Sequence, residues 1–468
     1  MGLDLFLKRL SHVLGSKLRV DAEACEGASV DASGVLGATA AAVVYAHQVQ
    51  DVQEVLKEAV LCGVPVVPRG GGTGKVGGSV PLDVGSVVLD VSRMNKVLKT
   101  AVDDGYAVVE PGVTTQFLDT CVGELGMMYP PDPASADSCT LGGNIATNAG
   151  GPRAVKYGVT ARYVWGLDVV LMGGDGMRLG RESIKGVSGL PLSSLWVGSE
   201  GTLGVITRAV MHVVPKQQGV ATAWIGCAHV QEADRICKKI LKQAVVPRML
   251  EVLDEEALLA VEDLLPVHLR GVGQVGVLLE TDASTYERAL EDMVWLCARA
   301  DVDPVFVARN ETEAEALRAA RRGVSWALKR RYPMKWSDDI AVPRSAMLDY
   351  MRALREQAGL LGLKVSMYGH WGDGNLHVNV LCANEEERLK GDVLRNSVVL
   401  LALQSGGTLS GEHGIGITKR RFVSWEHSEA FLYWQNEVKK MWDPKGLMNP
   451  GKSYVGIQKG EGGCEKST

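Results

Sequence analysis

Glycine placement constrains this chain more than any other feature. Of its 468 residues, 55 are glycine, about 12% against roughly 7% in an average protein. The glycines cluster without a strict period, which excludes a collagen-like chain, and the apolar stretches between clusters exclude wholesale disorder. Residues 68–78 read PRGGGTGKVGG behind a strand-like run, 129–151 read YPPDPASADSCTLGGNIATNAGG, and 197–207 read VGSEGTLGVIT. Glycine reaches positive φ and lets backbone approach a ligand closely. Consecutive N–H groups in the first cluster can form an anion nest suited to a pyrophosphate. That cluster matches neither the P-loop nor the dinucleotide fingerprint, and by itself it reads equally well as a flexible loop.

Composition narrows the class. Hydrophobic residues make up 46% and charged residues 22%, as in a soluble globular protein of two large or three ordinary domains. A net charge of -5 lacks the basic footprint of non-specific nucleic-acid binding. No apolar run approaches the roughly 18 residues of a membrane helix, and Val398 to Leu403 is core-sized. At the N-terminus Leu3, Phe6, Leu7, Leu10, Val13 and Leu14 recur at helical spacing. Asp4, Lys8 and Arg9 break any signal-peptide core, and Phe6 stands where myristoylation wants Ser or Thr. This helix is expected to pack on the protein's own surface, with peripheral docking at a membrane as the lesser alternative. The nine cysteines include no C-x-x-C pair, which points to free thiols in a reducing, cytoplasmic setting and against an iron–sulfur motif in this chain.

The expected organisation is a lead-in over 1–37, a glycine-rich domain over 38–215, a second domain over 216–409, and a C-terminal segment over 410–468. In the first domain Val52–Cys62 and Thr114–Leu125 read as helices. Val64–Pro68, Val87–Val91, Ala107–Glu110, Tyr163–Leu171 and Val205–Val214 read as strands, with a hairpin turn at 173–176. In the second, Gln231–Gln243, Thr285–Ala300, Glu311–Arg331 and Arg344–Leu360 read as helices. Ala221–Gly226, Val275–Glu280, Val305–Ala308, Lys364–Tyr368 and His377–Leu381 read as strands. The class is α+β, with a mostly antiparallel sheet in the second domain. Lys459 to Thr468 reads as a loose tail.

The three glycine-rich motifs, in order over about 180 residues, resemble the FAD-binding domain of the vanillyl-alcohol oxidase and para-cresol methylhydroxylase (PCMH-type) superfamily. The resemblance implies two α+β subdomains clasping FAD. Pro68, Arg69, Gly70, Gly71, Gly72, Thr73 and Gly74 would hold the pyrophosphate. Pro131, Asp132, Thr140, Gly143, Asn144, Thr147, Glu200 and Ile206 would line the rest. Some members tether the flavin through a first-loop histidine; Thr73 stands there without one, so the FAD is expected to be non-covalent.

A second constellation carries chemistry. Residues 368–380 read YGHWGDGNLHVNV and 410–416 read SGEHGIG. His377 and Asn379 are two apart and share one strand face. His370 can lie beside His377 across the turn, and Glu412 and His413 add a carboxylate and a third imidazole. Two imidazoles and a carboxylate suit a divalent metal with open positions, zinc first and manganese or iron as alternatives. Each histidine alone would read as a satisfied core residue. HWGDGNLH followed by GEHGIG resembles the lactate, glycolate and D-2-hydroxyglutarate dehydrogenase branch of the superfamily. That resemblance implies a metal on His370, His377 and Glu412, with His413 as base and Asn379 close to the substrate. Trp371 is bulkier than the turn usually carries, with no expected effect on ligation.

Arg318, Arg321, Arg322, Lys329, Arg330, Arg331 and Lys335 crowd one segment. Most read as a solvated helix face. Arg321 and Ser325 lie one turn apart, and a guanidinium offers a fork to a carboxylate. By similarity to the family Arg321 is favoured as the carboxylate ligand, with Ser325 and Lys335 as helpers. KWSDDIAVP at 335–343 resembles a substrate-domain strand of the branch. DPKGLMNPGK at 443–452 resembles the family's C-terminal signature and implies Asn449 at the flavin; without the resemblance it reads as a helix-ending turn.

The expected activity is FAD-dependent oxidation of a D-2-hydroxy acid, D-lactate first and glycolate next, while 2-hydroxyglutarate would need a further cation. The electrons would leave to an electron-transfer flavoprotein, an iron–sulfur subunit, a quinone or oxygen. Two other readings are a flavin-carrying relay subunit without substrate chemistry, and a non-redox relative such as an alkylglycerone-phosphate synthase.

Overall fold

The N-terminal stripe forms the helix Gly2–Leu14 in the computed structural model, which describes residues 2–454 and 456. Phe6, Leu10 and Leu14 are buried in one apolar cluster with Val52, Val55, Leu56 and Ala59 of the helix Val49–Cys62. Each of the buried Phe, Leu and Val side chains among these contributes roughly 1.5–3 kcal/mol. Val13 stays 59% exposed, so the buried stripe is narrower than the spacing suggests. The tail expected at 459–468, with Cys464, lies outside the described residues, and the eight described cysteines are free thiols.

The chain divides into two compact units. Of the described residues, the first comprises those up to Ala149, Val159–Lys216 and those from His413 on; the second comprises Gly150–Gly158 and Gln217–Glu412.

The first unit holds two larger sheets. In one, Ala42–Tyr45, Val87–Asp90 and Val66–Arg69 run parallel in that order, with Leu18–Arg19 antiparallel at the edge. The helix Val49–Cys62 stops at Gly63, whose φ of 70° provides the left-handed cap that returns the chain to the strand Val66–Arg69. The other sheet is antiparallel, in the order Val97–Ala101, Tyr106–Val109, Val205–His212, Val164–Val170 and Gly176–Gly180. The continuous strand expected to Val214 instead breaks after His212, and Val214–Pro215 pairs with Met127–Met128. The glycine-rich stretch LGGNIAT, to which the sequence reading assigned no element, is a helix, Leu141–Thr147. Thr140 accepts the N–H of Gly143 as its cap, and Asn148 closes it at φ 53°.

The second unit is built on a seven-stranded, wholly antiparallel sheet. Its order is Phe306–Val307, Gly219–Cys227, Val275–Ala283, Met249–Leu253, Lys364–His370, Asn375–Leu381 and Trp336–Ala341. One face packs an apolar cluster under the helices Val230–Ile240, Tyr286–Ala300, Met347–Leu360 and Glu385–Gln404. The other carries Glu255–Val261 and Glu311–Arg331 over a smaller cluster. The sequence reading missed Glu385–Gln404, although its Asn384 cap and acidic first turn are helix-start features; Gly391 interrupts its pattern. A Cβ at Gly391 would lie 3.0 Å from Cys382 Sγ, a contact tight enough that the neighbouring side chains would have to give way. Segment 150–158 is held to this unit by Lys156 on Asp282, with the Tyr157 hydroxyl donating to Asp282 Oδ2 at 2.5 Å.

Candidate active site

Strand alternation sorts the second unit's sheet into an apolar and a polar face. Leu250, Val252, Val365, Met367, Leu376, Val378 and Val380 enter the larger apolar cluster. Their neighbours Glu251, Ser366, Tyr368, His370, Asn375, His377 and Asn379 therefore point to the opposite face. Antiparallel register then sets Glu251 opposite His370, Tyr368 opposite His377, Asp339 opposite His377, and Ser337 opposite Asn379. Charged and hydrogen-bonding groups from four adjacent strands form a grid.

Three expected metal ligands meet there. Glu412 Oε1 lies 3.4 Å from His370 Nε2 and 3.7 Å from His377 Nε2, and the two imidazole centroids are 5.2 Å apart. Asp339, which the sequence reading did not single out, joins them: candidate ligand atoms of Asp339, His377 and Glu412 lie within 4.8 Å of one another. Asp339 Oδ2 accepts the Ser410 hydroxyl at 2.9 Å and the Glu412 N–H at 3.0 Å, and its Oδ1 accepts from Asn375 at 2.6 Å. His413 follows Glu412 in the chain and opens the C-terminal segment of the first unit.

Glu251, also missed from sequence, ties the grid together. It is wholly buried and bonds His370 Nδ1 at 2.7 Å through Oε1 and Arg321 Nε at 2.6 Å through Oε2. Burial alone would raise its carboxyl, but the charges and hydrogen bonds of His370 and Arg321 outweigh burial and hold it down to about 2. His370 moves the other way: burial would lower it, yet Glu251 and Glu412 keep it well above its usual value. A lone Glu in the apolar run MLEVL was the available signal, since a buried charge requires a partner.

Arg321, expected as the carboxylate ligand, joins this grid through Glu251. The Arg321 guanidinium lies 5.0 Å from the Tyr368 ring centroid, and its Nη2 is buried with no hydrogen-bond partner. Lys335 Nζ bonds Ser337 and, at 2.8 Å, Asn379 Oδ1. By contrast Arg318 is engaged by Glu280, Glu311 and Glu315, and Arg322 by Glu315. The set fits a divalent cation: mixed imidazole and carboxylate donors converge, and the Nδ1 of His370 is held by a carboxylate so that Nε2 can face an ion.

The flavin-lining expectations fall in the first unit. A Cβ on Gly70 would lie 2.3 Å from Thr140 Oγ1, and one on Gly71 would lie 2.3 Å from Ser138 O, so the first and second motifs touch where only glycine fits. Among the described residues, the N–H groups of Gly70, Gly71, Gly72, Thr73 and Gly74 donate to nothing, as an anion nest requires. These features fit a pyrophosphate. Several side chains expected at the flavin also bond within this unit's own loops and helix. Arg69 reaches Val30 O at 2.7 Å, Asn144 donates to Thr115 at 2.6 Å, and Thr147 donates to Gly143 O. The Glu200 carboxylate accepts the N–H groups of Ile415 and Gly416. Asn449 donates to Gly78 O and Glu200 O while its Oδ1 stays buried and unpartnered. Ile206 is buried on its strand, and Pro131 and Asp132 lie in the loop after Met128.

This fold and these motifs define a PCMH-type flavoprotein, and comparison with known proteins agrees. Residues 40–180 match the FAD binding domain model and 216–453 the model for the C-terminal domain of FAD linked oxidases. The chain belongs to the FAD-linked oxidases. It is 35% identical to a glycolate oxidase subunit GlcD of Bacillus subtilis, covering 88% of this chain and 89% of that one. It is 32% identical to a D-lactate dehydrogenase of Archaeoglobus fulgidus, covering 88% and 90%. A D-2-hydroxyglutarate dehydrogenase of Stutzerimonas stutzeri is 30% identical, covering 94% and 96%. Among solved structures, p-cresol methylhydroxylase superposes with a TM-score of 0.77 at 16% identity, covering 97% of each chain, a likeness of fold.

Proposed function

We propose that this protein is an FAD-dependent dehydrogenase of a small D-2-hydroxy acid, D-lactate first and glycolate next, yielding the 2-oxo acid. The observation that carries the reading is the buried, unpartnered Nη2 of Arg321, tied through Glu251 to a histidine and carboxylate group suited to a metal. A 2-hydroxy acid presents the matching pair of groups, a carboxylate and an adjacent hydroxyl. The names of the three relatives support this substrate class.

When bound, FAD supplies the hydride acceptor and a divalent cation supplies Lewis acidity at the hydroxyl. The chain's residues do the rest. Arg321 Nη2 donates to the substrate carboxylate and orients Cα, with Lys335 and Asn379 beside it. His370, His377 and Glu412 hold the cation, zinc first. His413 takes the hydroxyl proton. Thr73 stands where a tethering histidine would be, so the FAD dissociates. The electrons pass to an electron-transfer flavoprotein, an iron–sulfur subunit or a quinone. Among the described residues no helix is long and apolar enough to cross a membrane, and the reading places the protein in the cytoplasm, with peripheral membrane contact as the alternative.

The test is anaerobic bleaching of the flavin by D-lactate, L-lactate, glycolate and D-2-hydroxyglutarate, with and without a chelator. Bleaching by one acid, lost on chelation and restored by metal, is the expected result. No bleaching from protein carrying both FAD and metal would favour the relay reading instead.

A further inference from the structure

We infer that Glu251 is a positioning residue that couples the two halves of this site, so that a cation at His370 and a carboxylate at Arg321 each strengthen the other's binding. The inference rests on the metal-assisted reading above and adds to it a residue and a linkage.

The geometry is specific. Glu251 sits in mid-strand between Leu250 and Val252, which face the apolar cluster, so alternation turns it to the polar face. Nothing of it reaches solvent. Each carboxylate oxygen has its own partner, His370 Nδ1 at 2.7 Å and Arg321 Nε at 2.6 Å. The outward ends of those partners are the two groups the chemistry needs. His370 Nε2 faces Glu412, and Arg321 Nη2 is buried with no partner.

A carboxylate has one negative charge shared between two oxygens. With Nδ1–H donated to Oε1, the imidazole keeps Nε2 as its metal-facing nitrogen. A cation on Nε2 makes Nδ1–H a stronger donor and draws charge toward Oε1. Oε2 then neutralises Arg321 less, and the guanidinium holds an anion at Nη2 more firmly. The argument runs equally in reverse, because a coupling free energy between two binding sites is reciprocal. A structural ion pair alone would stabilise the sheet without linking the two affinities.

The test uses the full-length, FAD-loaded protein with propionate, which has a carboxylate but no 2-hydroxyl and so does not chelate the metal as substrate would. Propionate and Zn²⁺ or Mn²⁺ are titrated separately and together by calorimetry. In the wild type, metal should tighten propionate about tenfold, within the usual range of such couplings. Glu251→Gln, with one acceptor in place of two, should lose roughly 10–100-fold in metal affinity and bring the coupling close to 1, with FAD content unchanged. Glu251→Asp, which keeps the charge but withdraws both oxygens, guards against a folding failure and should also lose the coupling. Either variant retaining wild-type metal affinity and coupling would overturn the inference. A wild type that binds metal and propionate independently would overturn the coupling alone, whereas one that binds neither would overturn the underlying functional reading.

Discussion

The N–H of Glu412 donates to Asp339 Oδ2 at 3.0 Å, across 73 residues of sequence. The bond fixes the backbone of an expected metal ligand to the strand Trp336–Ala341, one strand over from His377. Ser410 is held by the same oxygen. Asp339→Ala should therefore weaken metal binding by roughly 10–100-fold, the usual effect of losing an outer partner of a ligand. Flavin content should stay at the wild-type level. Metal titration followed by elemental analysis would check this, and unchanged affinity would remove Asp339 from the site.

Arg321 has its Nε engaged by Glu251 and its Nη2 buried without a partner, a rigid fork that in the proposed function meets the substrate carboxylate. Arg321→Lys keeps the charge but cannot serve Glu251 and a carboxylate together. Loss of one charged hydrogen bond, about 1.5–3 kcal/mol, predicts a KM for the hydroxy acid raised roughly 10–100-fold. Steady-state kinetics on D-lactate and glycolate would show it. An unchanged KM with both acids would assign carboxylate binding elsewhere.

Gly70→Ala brings a Cβ within 2.3 Å of Thr140 Oγ1. Thr140 caps the helix Leu141–Thr147 and is not free to swing away. The variant should release FAD on dilution, at a stability cost of about 1–3 kcal/mol from overpacking. Adding Thr140→Ala restores the space and should recover part of the bound flavin, read by absorbance after gel filtration.

Asp254 sets a pH dependence. Burial pushes its carboxyl up to about 6, outweighing the Met367 and Ala257 N–H groups, Arg355 and Ser366. The folded protein thus binds this proton more tightly than the unfolded chain, whose value lies near 3.8. Its stabilising contribution is complete below about pH 4 and is lost as pH rises through 6, by up to about 3 kcal/mol. Asp254→Asn should lack this slope. The stability gap between wild type and variant should therefore shrink between pH 4 and pH 7 in urea unfolding; a constant gap would contradict the assignment.

Much of this was legible in the one-dimensional pattern. Helical spacing located Glu311–Arg331 to the residue, and period-two alternation located Lys364 to Tyr368 and His377 to Leu381. Glycine runs and HWGDGNLH marked the two sites because special backbone geometry and clustered imidazoles are local properties. The misses are equally physical. The helix Leu141–Thr147 contains two consecutive glycines, and its caps, Thr140 and Asn148, override their poor propensity.

Local sequence, then, determined the elements, the apolar faces and the residue types available for chemistry, since each depends on neighbours a few positions apart. Only the tertiary structure decided which charges meet. Glu251, Arg321, His370, Asp339 and Glu412 are scattered over some 160 residues; sheet register sets Glu251, His370 and Asp339 on one polar face, and the helix and loop packed against it bring Arg321 and Glu412 there. No spacing rule could have paired Glu251 with both His370 and Arg321. A buried carboxylate takes whatever cations the fold delivers within hydrogen-bond reach, and that depends on strand order.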